Sequence, residues 1–134
     1  MSLDQKLKQF LDENPFVGSA TTLRDDGSPH TTVVWVDTED GKVSFNTARG
    51  RAKERHLVRD PRASLLVVDP NDPYKWVAVS GSAELTEEGA DAQIDKLAKK
   101  YLGQDEYPWR NPAETRVSVR ITPEKVDSAG FGGE

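Results

Sequence analysis

Cysteine is absent from the 134 residues, which excludes disulfides, thiolate nucleophiles and cysteine-ligated zinc. Two histidines, His30 and His56, are too few for a histidine-rich metal site. Nothing approaches the ~18–20 apolar residues of a membrane span. The opening MSLDQKLKQF has no apolar core of a secretory leader. These absences predict a soluble, cytoplasmic protein. Positive charge is also short: 18 Lys and Arg face 23 Asp and Glu, for a net −5. That balance argues against a general nucleic-acid binder. Apolar residues make up only 35% of the chain, against a usual ~45–50% that also counts glycine. The length suits one domain, 1–134. A modest core then predicts completion by a partner subunit.

What is present reads as short strands framed by helices. Ser2 to Glu13 has helical apolar spacing at Leu3, Leu7, Phe10 and Leu11, with Ser2 and Gln5 as a capping box and Asn14-Pro15 as the stop. Phe16–Leu23, Thr31–Val36 and Lys42–Asn46 read as a meander, turned at Asp25–Ser28 and Glu39–Gly41. Arg51–Arg59 reads as a helix and Ala63–Val68 as a buried strand. Pro70–Pro73 reads as a loop, then Lys75–Leu85 as a strand whose Gly81 marks a bulge or close approach. A helix capped by Thr86 buries Ala90, Ile94, Leu97, Ala98 and Tyr101 and ends at Gly103. Gln104–Glu114 is a loop, Arg116–Ile121 a sixth strand, and Ser128–Glu134 a frayed tail apart from Phe131. Hairpins outnumber crossovers, which predicts a mainly β (α+β) fold: a six-stranded antiparallel barrel with flanking helices.

The densest chemistry lies in FNTARGRAKERHLVRDPR, residues 45–62. Six cations (Arg49, Arg51, Lys53, Arg55, Arg59, Arg62) meet Glu54 and Asp60, leaving +4 within a chain whose remainder carries −9. A strand ends at Asn46-Thr47, a glycine turn follows, and a helix begins. Unpaired N–H groups at such a start favour an anion. Thr47 can add a hydroxyl, Arg51 a set of donors and Lys53 a point charge. Together they read as a phosphate site without a Walker motif. The alternative is a solvated basic helix face.

Other residue types carry less. His30 and His56 lack a Ser/Asp partner at motif spacing and read as structural. No catalytic acid, base or metal set can be named. Trp35 and Trp76 fall on strands as core or interface anchors; Tyr107 and Trp109 fall in a loop, where they can lid a flat ring.

DGSPHTTVVWV, GKVSFNTARGRAKERHLVRDPRASLLVVD and WVAVSGSAEL, in that order, resemble the pyridoxamine 5'-phosphate oxidase-like split β-barrel flavoproteins, and more narrowly their deazaflavin reductases, which use coenzyme F420. The strongest element is Thr47 to Arg62, and the resemblance covers about residues 5–125. It implies a six-stranded split barrel and a homodimer with cofactor sites at the interface. By motif position Thr47, Arg51 and Lys53, with Asn46 beside them, would hold the coenzyme's phosphate and tail. Thr32, Val33, Val34 and Trp35 would lie along the ring. Trp76, Ser80 and Trp109 are further candidates near the cofactor or interface. The implied activity is hydride transfer from reduced F420 to an electron-poor small molecule. The alternatives are an FMN-dependent oxidase or reductase, or a non-catalytic F420, flavin or haem binder.

Overall fold

The computed structural model describes residues 2–132. The chain runs α1 (Gln5–Glu13), β1 (Gly18–Leu23), β2 (Pro29–Val34), β3 (Asp37–Glu39), β4 (Lys42–Ala48), α2 (Ala52–Arg59), β5 (Arg62–Asp69), β6 (Asp72–Thr86), α3 (Ala90–Leu102) and β7 (Arg116–Ala129). All strand pairings are antiparallel, in the order β2-β1-β5-β6-β7-β4-β3. Alternate residues of β5 point inward, so Ala63, Leu65 and Val67 are buried while Arg62, Leu66 and Val68 are exposed. The inward residues join Leu7, Phe10 and Leu11 of α1 and Phe45, Val119 and Ile121 in one core.

The expected six-stranded barrel is corrected to seven strands in a sheet that no ladder closes. β2 and β3 are the two sheet edges, yet only Trp35 and Val36 separate them in sequence. The sheet must therefore curl until its ends meet at that corner. The backbone of Val36 finds its partners in α3: its N–H donates to the Tyr101 hydroxyl at 2.9 Å, and its carbonyl accepts from Lys100 Nζ at 2.8 Å. Side chains from the last turn of α3 thus satisfy groups that a closing ladder would otherwise pair. β3 itself, Asp-Thr-Glu, has no apolar alternation to announce it.

Several boundaries also shift. α1 is capped by Asp4, which accepts from the Leu7 N–H at 3.0 Å, rather than by Ser2; the Leu3 N–H is committed to Gly41 across the β3–β4 turn. α3 starts after Gly89, and Thr86 belongs to β6, opposite Ser118. The loop expected at Pro70–Pro73 shrinks to a turn at residues 70–71, since Asp69 and Asp72 accept from the N–H groups two residues on. β7 runs past Ile121 to Ala129, which pairs with Trp76, so Ser128 and Ala129 are sheet rather than tail. Phe131 packs edge-on against Phe10, while Gly133 and Glu134 of the expected tail lie outside the described residues. The bulge falls at Gly81 as expected: a Cβ there would lie 1.9 Å from the Thr122 carbonyl, and Pro123 takes the opposite position.

Candidate cofactor site

The end of β4, the start of α2, the end of β2 and the loop before β7 converge on a cavity of about 220 Å³. Its lining includes eight candidate residues: Val33, Val34, Trp35, Asn46, Thr47, Arg51, Lys53 and Trp109. Thr32 stands behind them, its hydroxyl accepting from Lys53 Nζ at 3.0 Å. Trp76 does not line the cavity: it pairs with Val68 and Ala129 elsewhere on the sheet.

The basic segment divides by geometry. Arg51 is the N-cap of α2 and offers the helix start no side-chain acceptor. Glu54, one turn in, accepts from the Gly50 N–H at 3.0 Å and from Arg49 at 3.2 Å, which fixes the turn. Arg51 and Lys53 therefore face the cavity. The outer cations are committed elsewhere: Arg49 also to Glu87, Arg59 to Asp25 and the Leu23 carbonyl, Arg62 to Asp60, and Arg55 to the Gly50 carbonyl. Of the six cations in this segment, Arg51 and Lys53 line the cavity.

A third cavity cation comes from far along the chain. Ala48 pairs with Arg116 across β4 and β7, which delivers Arg116 to the lining. Its Nε donates to Asn46 Oδ1 at 2.8 Å. The Asn46 amide donates in turn to the Ala90 carbonyl and to Gln93. Asn46 thus spends its polar atoms holding Arg116 and α3 in register. Burial and the neighbouring Arg51 charge hold the Lys53 ammonium below its ordinary range. Glu114 supplies the opposing charge: Arg51 Nη2 lies 2.8 Å from both its oxygens, and Arg116 reaches it at 3.1 Å.

Part of the lining is aromatic. Trp35 stacks on Tyr101 with centroids 5.4 Å apart and planes 6° from parallel, and meets Tyr107 edge-on at 6.1 Å. Tyr107 touches Trp109 edge-on at 5.7 Å, and the Arg116 guanidinium lies over Tyr107 at 5.4 Å. Cations and aromatic faces lining one cavity suit a flat ring bearing an anion.

The sequence profile described as pyridoxamine 5'-phosphate oxidase matches residues 3–129. The chain belongs to that family. Among solved structures, an F420 reductase is 27% identical, with 89% of this chain and 94% of that one covered at a TM-score of 0.76. A conserved hypothetical protein of Mycobacterium tuberculosis is 24% identical, covering 97% and 86%, with a TM-score of 0.74. General Stress Protein 26 of Bacillus anthracis is 20% identical, covering 92% and 92%, with a TM-score of 0.68. The last two share the fold.

In this member of the pyridoxamine 5'-phosphate oxidase family, sequence reasoning missed Glu114 and Arg116, which no local motif marks. No described helix is long and apolar enough to cross a membrane, and no group of acidic residues and histidines suited to a metal occurs among the described residues. His30 and His56 meet edge-on at 5.0 Å beside a separate hollow of about 710 Å³. His56 is buried against Thr22, 2.8 Å from its hydroxyl. Burial, then His30 and the nearby arginines, push its imidazole down from the usual range.

Proposed function

We propose that this chain forms one domain and acts as an F420-dependent oxidoreductase, with FMN as the alternative cofactor. The observation that carries the reading is the convergence of three cations, Arg51, Lys53 and Arg116, and three aromatic rings, Trp35, Tyr107 and Trp109, on one cavity. The donor set fits a phosphate, and the aromatic wall fits a flat ring. The 27% identical F420 reductase favours the deazaflavin. The commitment of the outer arginines to carboxylates keeps FMN in play, because three cations also suit one ribityl phosphate.

The chain's own residues bind and orient. Arg51 and Lys53 hold the phosphate end, with Thr47 beside them. Thr32 steadies the Lys53 ammonium. Edge strand β2 lends one row of backbone groups to the ring. Trp35, fixed by Tyr101, sets the plane of the ring, and Trp109 covers it. The chemistry such a group supplies when bound is two-electron hydride transfer to an electron-poor small-molecule acceptor.

A second copy of the chain completes the site. The cavity of about 220 Å³ is smaller than the ~300–1,000 Å³ usual for such ligands. Beside it runs an outward sheet row in which Val33, Ser19, Leu66 and Ala78 are successive ladder partners; Val33 is 68% exposed and Leu66 40%. Val17 and Val68 extend the exposed apolar surface. A symmetric dimer would bury it. Sedimentation at micromolar concentration should give a dimer that Leu66→Arg dissociates, and a monomeric wild type would overturn this arrangement.

The cofactor is tested by titrating the protein with F420 and with FMN, followed by an acceptor-dependent assay of reduced F420 oxidation across a panel of enones. Tight FMN binding with negligible F420 binding would replace the cofactor. F420 binding without turnover on any acceptor would favour a carrier.

A further inference from the structure

Glu114 puts a carboxylate where the proposed site keeps its cations. It lies two residues before Arg116, at the end of the segment that carries Tyr107 and Trp109. Arg51 Nη2 is 2.8 Å from both of its oxygens, and Arg116 Nη1 is 3.1 Å from Oε2. The Arg51 hydrogen bond, helped by both arginine charges against partial burial, holds this carboxyl below its usual range. It is therefore an anion at neutral pH. Carboxylate and phosphate take the same guanidinium N–H groups in the same way.

We propose that Glu114 is a built-in competitor that occupies the phosphate subsite and must be displaced from Arg51 before an anionic ligand is held there. This rests on the reading of the cavity as an anion-plus-ring site. A small anion alone exchanges one charge-assisted contact for another and gains little. A ligand that also lays a flat ring on the wall of Trp35 and Tyr107 gains the stacking as well. Glu114 thereby makes recognition two-point, rejecting free phosphate and other small anions while admitting a ring that bears one. Through its contact with Arg51 it also offsets one of the three positive charges that Arg51, Lys53 and Arg116 bring to the cavity.

The test compares two pairs of probes differing in the phosphate: FMN with riboflavin, and F420 with its phosphate-free chromophore. Each is titrated into wild type, Glu114→Gln and Glu114→Asp. Glu87→Gln serves as a control, removing one negative charge whose partner, Arg49, does not line the cavity. Glu114→Gln should tighten the phosphate-bearing member of at least one pair roughly tenfold or more, leaving the phosphate-free member unchanged. Glu114→Asp keeps the charge but falls short of Arg51, so it should gain most of the same increase. Glu87→Gln should gain almost none. Equal gains for both members of a pair would overturn the proposal. So would an Asp variant that behaves as wild type, since that outcome means distant repulsion rather than contact. Wild-type binding that depends on Lys53 but ignores Glu114 overturns the competitor and leaves the site reading standing. Failure of wild type and Glu114→Gln to bind either pair overturns both.

Discussion

Burial lowers two of the described lysines, Lys53 and Lys100, from their ordinary value near 10.5. They do opposite work. Lys100, on the last turn of α3, gives its ammonium to the carbonyls of Leu11 at 2.5 Å and Val36 at 2.8 Å, and lies over the Tyr101 ring at 5.0 Å. The Leu11 carbonyl has no partner within α1, because the residue four ahead is Pro15, which has no N–H. Lys53, on the first turn of α2, touches one hydroxyl and lines a cavity. A buried cation saturated by backbone acceptors is a fastener. One that is desolvated yet has a single neutral partner is under-satisfied, and an incoming anion is what it lacks.

The largest effect should come from cutting the fastener. Lys100→Met keeps much of the side chain's bulk but leaves two carbonyls without their donor. At about 1–3 kcal/mol for each unsatisfied buried group, the loss should be roughly 2–4 kcal/mol, read as a lowered denaturation midpoint with an unchanged slope. The corner at Val36 would loosen, and with it Trp35. Tyr101→Phe attacks the same corner through the Val36 N–H and the Phe16 carbonyl, which the hydroxyl bridges at 2.9 and 2.7 Å. Its cost should be about 1–3 kcal/mol, since the ring stack on Trp35 survives.

Lys53→Met should behave the other way. Folding stability should hold or rise slightly, because a desolvated charge with only one neutral partner is removed. Affinity for the phosphate-bearing ligand should fall by about 1.5–3 kcal/mol, the scale of a hydrogen bond to a charged group. A denaturation curve and a ligand titration on the same preparation decide it. If Lys53→Met unfolds as readily as Lys100→Met, the contrast fails and Lys53 is a second fastener.

The contrast was only half legible in the sequence. The turn from Thr47 to Lys53 could be read because strand end, glycine, helix start and cations are contiguous. Arg116 and Glu114 could not, since a β4–β7 ladder brings them across more than sixty residues to Arg51 and carries no local mark. Lys100 looks like any cation on the polar face of a helix; its role depends on where Pro15 leaves α1 open. The apolar periodicity of α3 located its buried face, whereas the apolar run of β5, read as a buried strand, buries only alternate residues and leaves Leu66 and Val68 exposed. The sheet's closure was misjudged because β3 is three residues without an apolar pattern, and the second half of β7 is polar and contains Pro123. Trp76 was a candidate near the cofactor or the interface through the resemblance, and strand register sets it beside Val68, outside the cavity lining.

The smallest expected effect is one of pH, and it sharpens the comparison without altering the fold. Burial first, then the Arg51 charge, hold Lys53 below its ordinary value in the ligand-free protein. The unfolded chain therefore binds more protons than the folded one between that lowered value and about 10.5, so this lysine's share of stability rises with pH across the window. Ligand binding runs in the opposite sense. A phosphate beside Lys53 favours the ammonium, so above the lowered value the complex takes up a proton as it forms. Affinity should be flat near neutrality and decline on the alkaline side, starting below 10.5, with a limiting slope of one proton. Lys53→Arg keeps a cation throughout that range and should remove the decline even if overall affinity changes. Lys100→Met should leave it intact, because the Lys100 ammonium faces carbonyls that do not titrate and lies outside the cavity lining. Isothermal titrations between pH 7 and 10 in buffers of different ionisation enthalpy read both the affinity and the proton. A decline that persists in Lys53→Arg would assign the titrating group elsewhere and remove the under-satisfied lysine from the account of the site.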